Sequence, residues 1–107
     1  MEESNLLPLG SIVYLKEGIL PIMIVTRQPL MEINDDIYFF DYAGINHLSG
    51  LSNLNEIVYF NQENISTIQF QGYISADEER VLSALQEWRQ QNKEIPKGKI
   101  IKMNKTN

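Results

Sequence analysis

The sequence contains no cysteine and a single histidine, His47. Without cysteine there is no disulfide framework, thiolate zinc site, iron–sulfur cluster or thiol nucleophile. A lone histidine would need carboxylates alone to complete a transition-metal site, so His47 is read as a solvated loop residue. Basic residues are scarce as well: residues 1–92 hold Lys16, Arg27, Arg80 and Arg89 against 13 acidic residues. An acidic body repels phosphate backbones, which argues against nucleic acid and favours a basic or amphipathic polypeptide partner. No run approaches the roughly 18 apolar residues of a membrane span. Met1-Glu2-Glu3-Ser4-Asn5 is acidic where a secretory leader would be basic. The expectation is a cytoplasmic protein without a membrane span, in which the glycosylation-like triplets at Asn64 and Asn104 carry no meaning.

Catalytic signatures are missing too. The chain has no glycine-rich phosphate loop, dinucleotide fingerprint, Gly-x-Ser-x-Gly elbow or paired-histidine motif. The acid pairs Glu2/Glu3, Asp35/Asp36 and Glu78/Glu79 suit solvated turns and a helix start better than acid–base chemistry. No catalytic residue, cofactor or metal ligand is assigned. Asp41 stands apart because it interrupts an aromatic run, where a carboxylate must face solvent or find a donor; an exposed strand edge is the expected setting.

What the chain does have is 107 residues that are 43% apolar, enough for one core. Ser11–Leu15 and Ile19–Thr26 read as a hairpin through Lys16-Glu17-Gly18, and Pro21 suggests that the second strand begins at an edge or a bulge. Residues 27–36 show no usable period and read as loop. Ile37–Tyr42 reads as a third strand, with Tyr38, Phe40 and Tyr42 on one face and Phe39 and Asp41 on the other. Residues 44–55 read as a long loop; Ile45, Leu48, Leu51 and Leu54, spaced by three, suggest a short helical stretch beneath the sheet as an alternative. Glu56–Phe60 and Ile65–Gln71 supply the fourth and fifth strands, the fifth with Ile68 and Phe70 on its apolar face.

After Ile74 the period lengthens to about 3.6. Ser75-Ala76-Asp77-Glu78 has capping-box spacing, and Val81, Leu82, Leu85 and Trp88 form the apolar stripe of a helix ending near Asn92. Residues 93–107 hold five lysines and one acid, and read as a tail, with Lys99–Met103 as a possible last strand. The expected fold is therefore α+β. A curved antiparallel sheet of five or six strands, open or partly closed as a barrel, carries one C-terminal helix in a domain of residues 1–92, followed by the tail. Tyr14, Phe40, Phe60, Phe70 and Trp88 are expected in the core, and Tyr38, Tyr42, Tyr59 and Tyr73 nearer an exposed patch.

Leu6–Gly18, Tyr38-Phe39-Phe40-Asp41-Tyr42-Ala43-Gly44, Tyr59-Phe60-Asn61, Phe70-Gln71-Gly72-Tyr73 and the acidic helix start, in this order and spacing, resemble a family of small proteins. It is known as domain of unknown function 4176, encoded beside LXG toxins in type VII secretion loci of Gram-positive bacteria. The resemblance covers residues 6 to about 92; nothing in 26–36 or after Asn92 contributes. It implies a non-enzymatic accessory or targeting factor, an adaptor or chaperone, that binds the N-terminal helical region of an LXG toxin and promotes its export. Other small accessory proteins of the same locus are implied as further partners. By position in the family's segments, Tyr38, Asp41, Tyr42 and Tyr73 are the candidate partner-binding residues. The competing expectation is an immunity protein that neutralises the toxin's C-terminal domain.

Overall fold

The computed structural model describes residues 6–102; Glu2, Glu3, Met103 and the triplet at Asn104 lie outside them. The strands are β1 (Ile12–Leu15), β2 (Ile22–Arg27), β3 (Leu30–Ile33), β4 (Asp36–Phe39), β5 (Tyr42–Asn46), β6 (Val58–Phe60), β7 (Ile65–Phe70) and β8 (Ile101–Lys102), with helix α1 (Glu78–Gln91) before β8. The main sheet has the order β7-β1-β2-β5-β6-β8, and each neighbouring pair is antiparallel. This is the expected α+β architecture, with an open sheet rather than a closed barrel. β1 alternates, with Val13 and Leu15 buried and Ile12 and Tyr14 only half so.

β2 lies in the middle of the sheet, not at an edge. Pro21 stands just before it, where its missing N–H interrupts no ladder, and its carbonyl accepts from the His47 N–H at 2.8 Å. The bulge anticipated from Pro21 falls further along, between Ile24 and Thr26.

Residues 27–42 depart most from the sequence reading. The segment read as loop forms a separate hairpin, β3 with β4, in which Leu30 faces Phe39 and Ile33 faces Asp36. Its two-residue turn has φ of 54° at Asn34 and 73° at Asp35, the left-handed pair that matches strand twist in tight hairpins. Glycine is favoured at the second of these positions, so Asp35→Gly is expected to raise stability by about 0.5–1 kcal/mol. A denaturant midpoint unchanged or lowered by that substitution would contradict the turn assignment.

The aromatic run does not form one strand. It breaks at Phe40 and Asp41, where the Phe40 N–H donates to the Pro29 carbonyl at 3.0 Å and the Gln28 N–H to the Asp41 carbonyl at 2.9 Å. Phe40, Asp41 and Tyr42 are consequently all buried, which strict alternation forbids. β5 then continues to Asn46, into the stretch expected to be loop. Ile45 is buried in that strand, whereas Leu48, Leu51 and Leu54 are exposed; the stretch holds a single turn closed by the Gly50 N–H on the Asn46 carbonyl at 2.8 Å and the short 3-10 segment Leu54–Glu56. No stretch folds beneath the sheet.

The capping box is absent as well. The Ser75 hydroxyl accepts from the Asp77 N–H at 3.1 Å, one turn upstream of the helix proper. Glu78 does not reach back; its carboxylate instead takes two hydrogen bonds from Arg27, at 2.8 and 3.1 Å. Leu82 and Leu85 pack against a core of Leu6, Val13, Leu15, Ile22, Ile24, Tyr42 and Phe60, and Trp88 meets Phe39 edge to face with centroids 5.8 Å apart. Phe70, expected in the core, is 57% exposed, as is its β7 neighbour Ile68 at 53%. Of the two readings of the lysine-rich segment, its described part follows the strand: Lys97 bridges to Phe39 in parallel, Gly98 is buried and β8 pairs with β6.

Candidate protein-binding surface

The four residues singled out from the sequence do not converge on one surface. Asp41 is 1% exposed and lies in a polar frame rather than at an edge. Its Oδ1 accepts from Arg89 at 2.6 Å; its Oδ2 accepts from Lys97 Nζ at 3.2 Å and from the Gln62 N–H at 2.8 Å. Its own N–H donates to Asn61 Oδ1 at 2.9 Å, and Asn61 Nδ2 donates to the Gly98 carbonyl at 2.8 Å. Arg89 also stands 4.8 Å over the Phe39 ring and bonds Gln28 Oε1 through Nε; Gln28 in turn donates to the Leu85 carbonyl at 2.9 Å. Each donor found by the carboxylate comes from a different element, so Asp41 ties α1, the Lys97 segment and the turn before β7 to β5. A buried carboxylate with both oxygens engaged by donors from three segments is a fastener.

Tyr42 is fully buried, against the expectation of exposure. Its hydroxyl accepts from the Leu7 N–H and donates to Gln62 Oε1, both at 2.8 Å. Burial, aided by the Asp41 charge, pushes its pKa up from 10.0 to about 12, against the opposing pull of the Leu7 bond and of Arg27 and Arg89. The neutral phenol is the form the fold holds. Stability from this group is complete below the unfolded value of 10 and drains away as the pH rises towards about 12, because the unfolded phenol ionises first. Tyr42→Phe is expected to lose about 1–2 kcal/mol at neutral pH, since two half-buried partners lose their hydrogen bonds. It should also show a shallower fall in denaturant midpoint than the parent over that alkaline interval. Tyr38 is half-buried on β4. Tyr73 alone is free, at 83% exposure. It follows β7, whose only sheet partner among the described residues is β1; Ile68, Phe70 and Ile74 of the same stretch of chain are exposed as well.

A second apolar surface lies at one end of the sheet, where a groove opens. The contacts of α1 gather at the end where Arg27 faces Tyr42: Glu78 on Arg27, Leu85 on Gln28, Arg89 on Asp41. At the other end, where Ile22 faces Asn46, Leu15, Ile22 and Val58 line a groove of about 430 Å³. Glu17, Ile19 and Leu20 of the β1–β2 turn wall one side, and Ser49, Ser52 and Glu56 of the β5–β6 loop wall the other. Ile19 is 88% exposed. Glu17 holds a left-handed φ of 65°, and Glu56 accepts from the Ser52 hydroxyl at 3.0 Å. Among the described residues neither glutamate forms an ion pair. The sequence reading missed this site because its lining comes from two stretches far apart in the chain, 15–22 and 46–58. The available signal was the apolar Ile19-Leu20 placed directly after a turn.

Among the described residues no three His, Asp or Glu side chains converge as metal ligands do, and no helix is long and apolar enough to cross a membrane. His47 is exposed on the loop after β5. The arrangement offers apolar contact and carboxylate acceptors. In comparisons with known proteins, no curated protein and no solved structure matches the chain. One family model does, the domain of unknown function named DUF4176, over residues 6–81. That span takes in β1 to β7, Asp41 and every residue of the groove, while Arg89 and Lys97 lie beyond it. The chain belongs to the DUF4176 family.

Proposed function

We propose that this protein is a non-enzymatic adaptor, a targeting factor or chaperone that binds the N-terminal helical region of an LXG toxin in the cytoplasm and promotes its type VII export. The observation that supports this reading is the groove: it opens onto core residues Leu15 and Ile22 and is walled by the exposed aliphatic side chains Ile19 and Leu20 beside polar ones. Exposed apolar patches rimmed by polar groups mark contact sites. The family resemblance supplies the class of partner. The acidic body would speed capture of a basic one.

The test is co-expression with the toxin gene next to this one, followed by affinity capture of the tagged chain. The toxin's N-terminal region should come down with it, and the isolated C-terminal domain should not. An acidic chain of this size also suits an immunity protein. Protection of cells from the isolated toxic domain, without capture of the N-terminal region, would establish that role and end the adaptor reading.

A further inference from the structure

We infer that the groove between the β1–β2 turn and the β5–β6 loop receives one face of an amphipathic helix that carries large aliphatic side chains flanked by lysine or arginine. This deepens the adaptor reading and rests on it. Three observations select such an occupant. The groove lies across the ends of β1, β2, β5 and β6 rather than along an edge strand, so an extended peptide finds no ladder to join. Its walls expose Ile19 and Leu20 outwards. A small molecule resting on the floor would leave these wet, whereas a helix about 10–12 Å across would cover them. Finally, the groove's two charged residues are Glu17 and Glu56. Neither has a cationic partner among the described residues, which complements a helix with basic flanks and repels one with acidic flanks.

Glu17 adds a sign of its own. A glutamate in the left-handed region is strained where glycine or asparagine would rest. Strain of this kind gathers where a side chain is needed for contact. Glu17→Gly is therefore expected to stabilise the chain while weakening the helix two- to fivefold, about what an exposed ion pair contributes.

The experiment is fluorescence anisotropy on the whole chain with three labelled 18-residue helical peptides: leucine with lysine flanks, leucine with glutamate flanks, and alanine with lysine flanks. The first should bind at least tenfold tighter than either of the others, and Ile19→Asp should remove that advantage. Because Ile19 is exposed, circular dichroism of the variant should match the parent. Equal binding of the leucine–lysine and leucine–glutamate peptides, or indifference to Ile19→Asp, overturns the assignment. So does binding seen only after residues 103–107 are deleted, or a dimer that Ile19→Asp dissolves, since these give the groove to the chain's own end or to a second copy. Failure here with toxin capture intact moves the contact elsewhere, for instance to the exposed residues along β7. Failure of toxin capture removes the adaptor reading itself.

Discussion

Asp41→Ala is expected to lower the unfolding free energy by about 3–5 kcal/mol, the usual cost of removing one partner from a buried ion pair. The carboxylate is 1% exposed, and its loss strands Arg89, whose side chain is only 17% exposed, together with the Gln62 N–H. Lys97, at 32% side-chain exposure, recovers water and contributes less to the loss. Asp41→Asn keeps the shape and one acceptor, so it should fall between parent and alanine. In a domain of this size each kcal/mol moves the melting temperature by roughly 4–8 °C, which makes the effect readable in a single thermal scan. An alanine variant that melts with the parent would show that the frame around Asp41 is incidental to the fold.

Gly72→Ala is expected to be nearly as damaging, for a steric reason. A Cβ at position 72 would sit 2.1 Å from the Leu9 carbonyl oxygen and 2.9 Å from the Ser11 nitrogen, both backbone atoms with little room to yield. The Gly72 N–H also donates to the buried Ser11 hydroxyl at 2.9 Å. At this point the chain leaving β7 crosses the Leu9–Ser11 strand entry on its way to α1. Relief requires separating the two segments, which should cost about 3 kcal/mol, at or above the upper end for overpacking. Gly50→Ala is the comparison: its φ is +75° but nothing lies within 4 Å of its Cβ, so only the backbone penalty of about 1 kcal/mol applies. Denaturant midpoints of the two variants that coincide would contradict the close crossing.

Both predictions concern residues in segments that stand out in the sequence, and neither role was legible there. Asp41 was expected at an edge because local pattern shows only its neighbours. Its donors Arg89 and Lys97 are 48 and 56 positions away, and Lys97 lies in a segment whose composition reads as a solubilising tail. The hairpin of β3 and β4 was hidden because Asn34-Asp35 lacks the glycine that normally announces such a turn and Leu30-Met31-Glu32-Ile33 has no clean alternation. Once Phe40 and Asp41 leave the ladder, the face assignment of Tyr38, Phe40 and Tyr42 fails with it. Elements whose period is set locally fared better: β1, β6 and β7 were located to within two residues, and α1 ends as expected at Gln91 with its stripe turned to the sheet. Period does not reveal coverage, however. Ile68 and Phe70 alternate as core residues do, yet both are exposed. The groove makes the same point, since its floor residues Leu15 and Ile22 are core while Ile19 and Leu20 beside them stay exposed.

Hydrogen–deuterium exchange of the chain alone and with its captured partner tests the central claim most directly. Protection should rise in residues 17–22 and 46–58, which wall the groove, and stay unchanged along β7 from Ile65 to Phe70. Protection confined to β7 and Tyr73, or none anywhere, would contradict the proposal that this protein holds a helix in the groove at one end of its sheet.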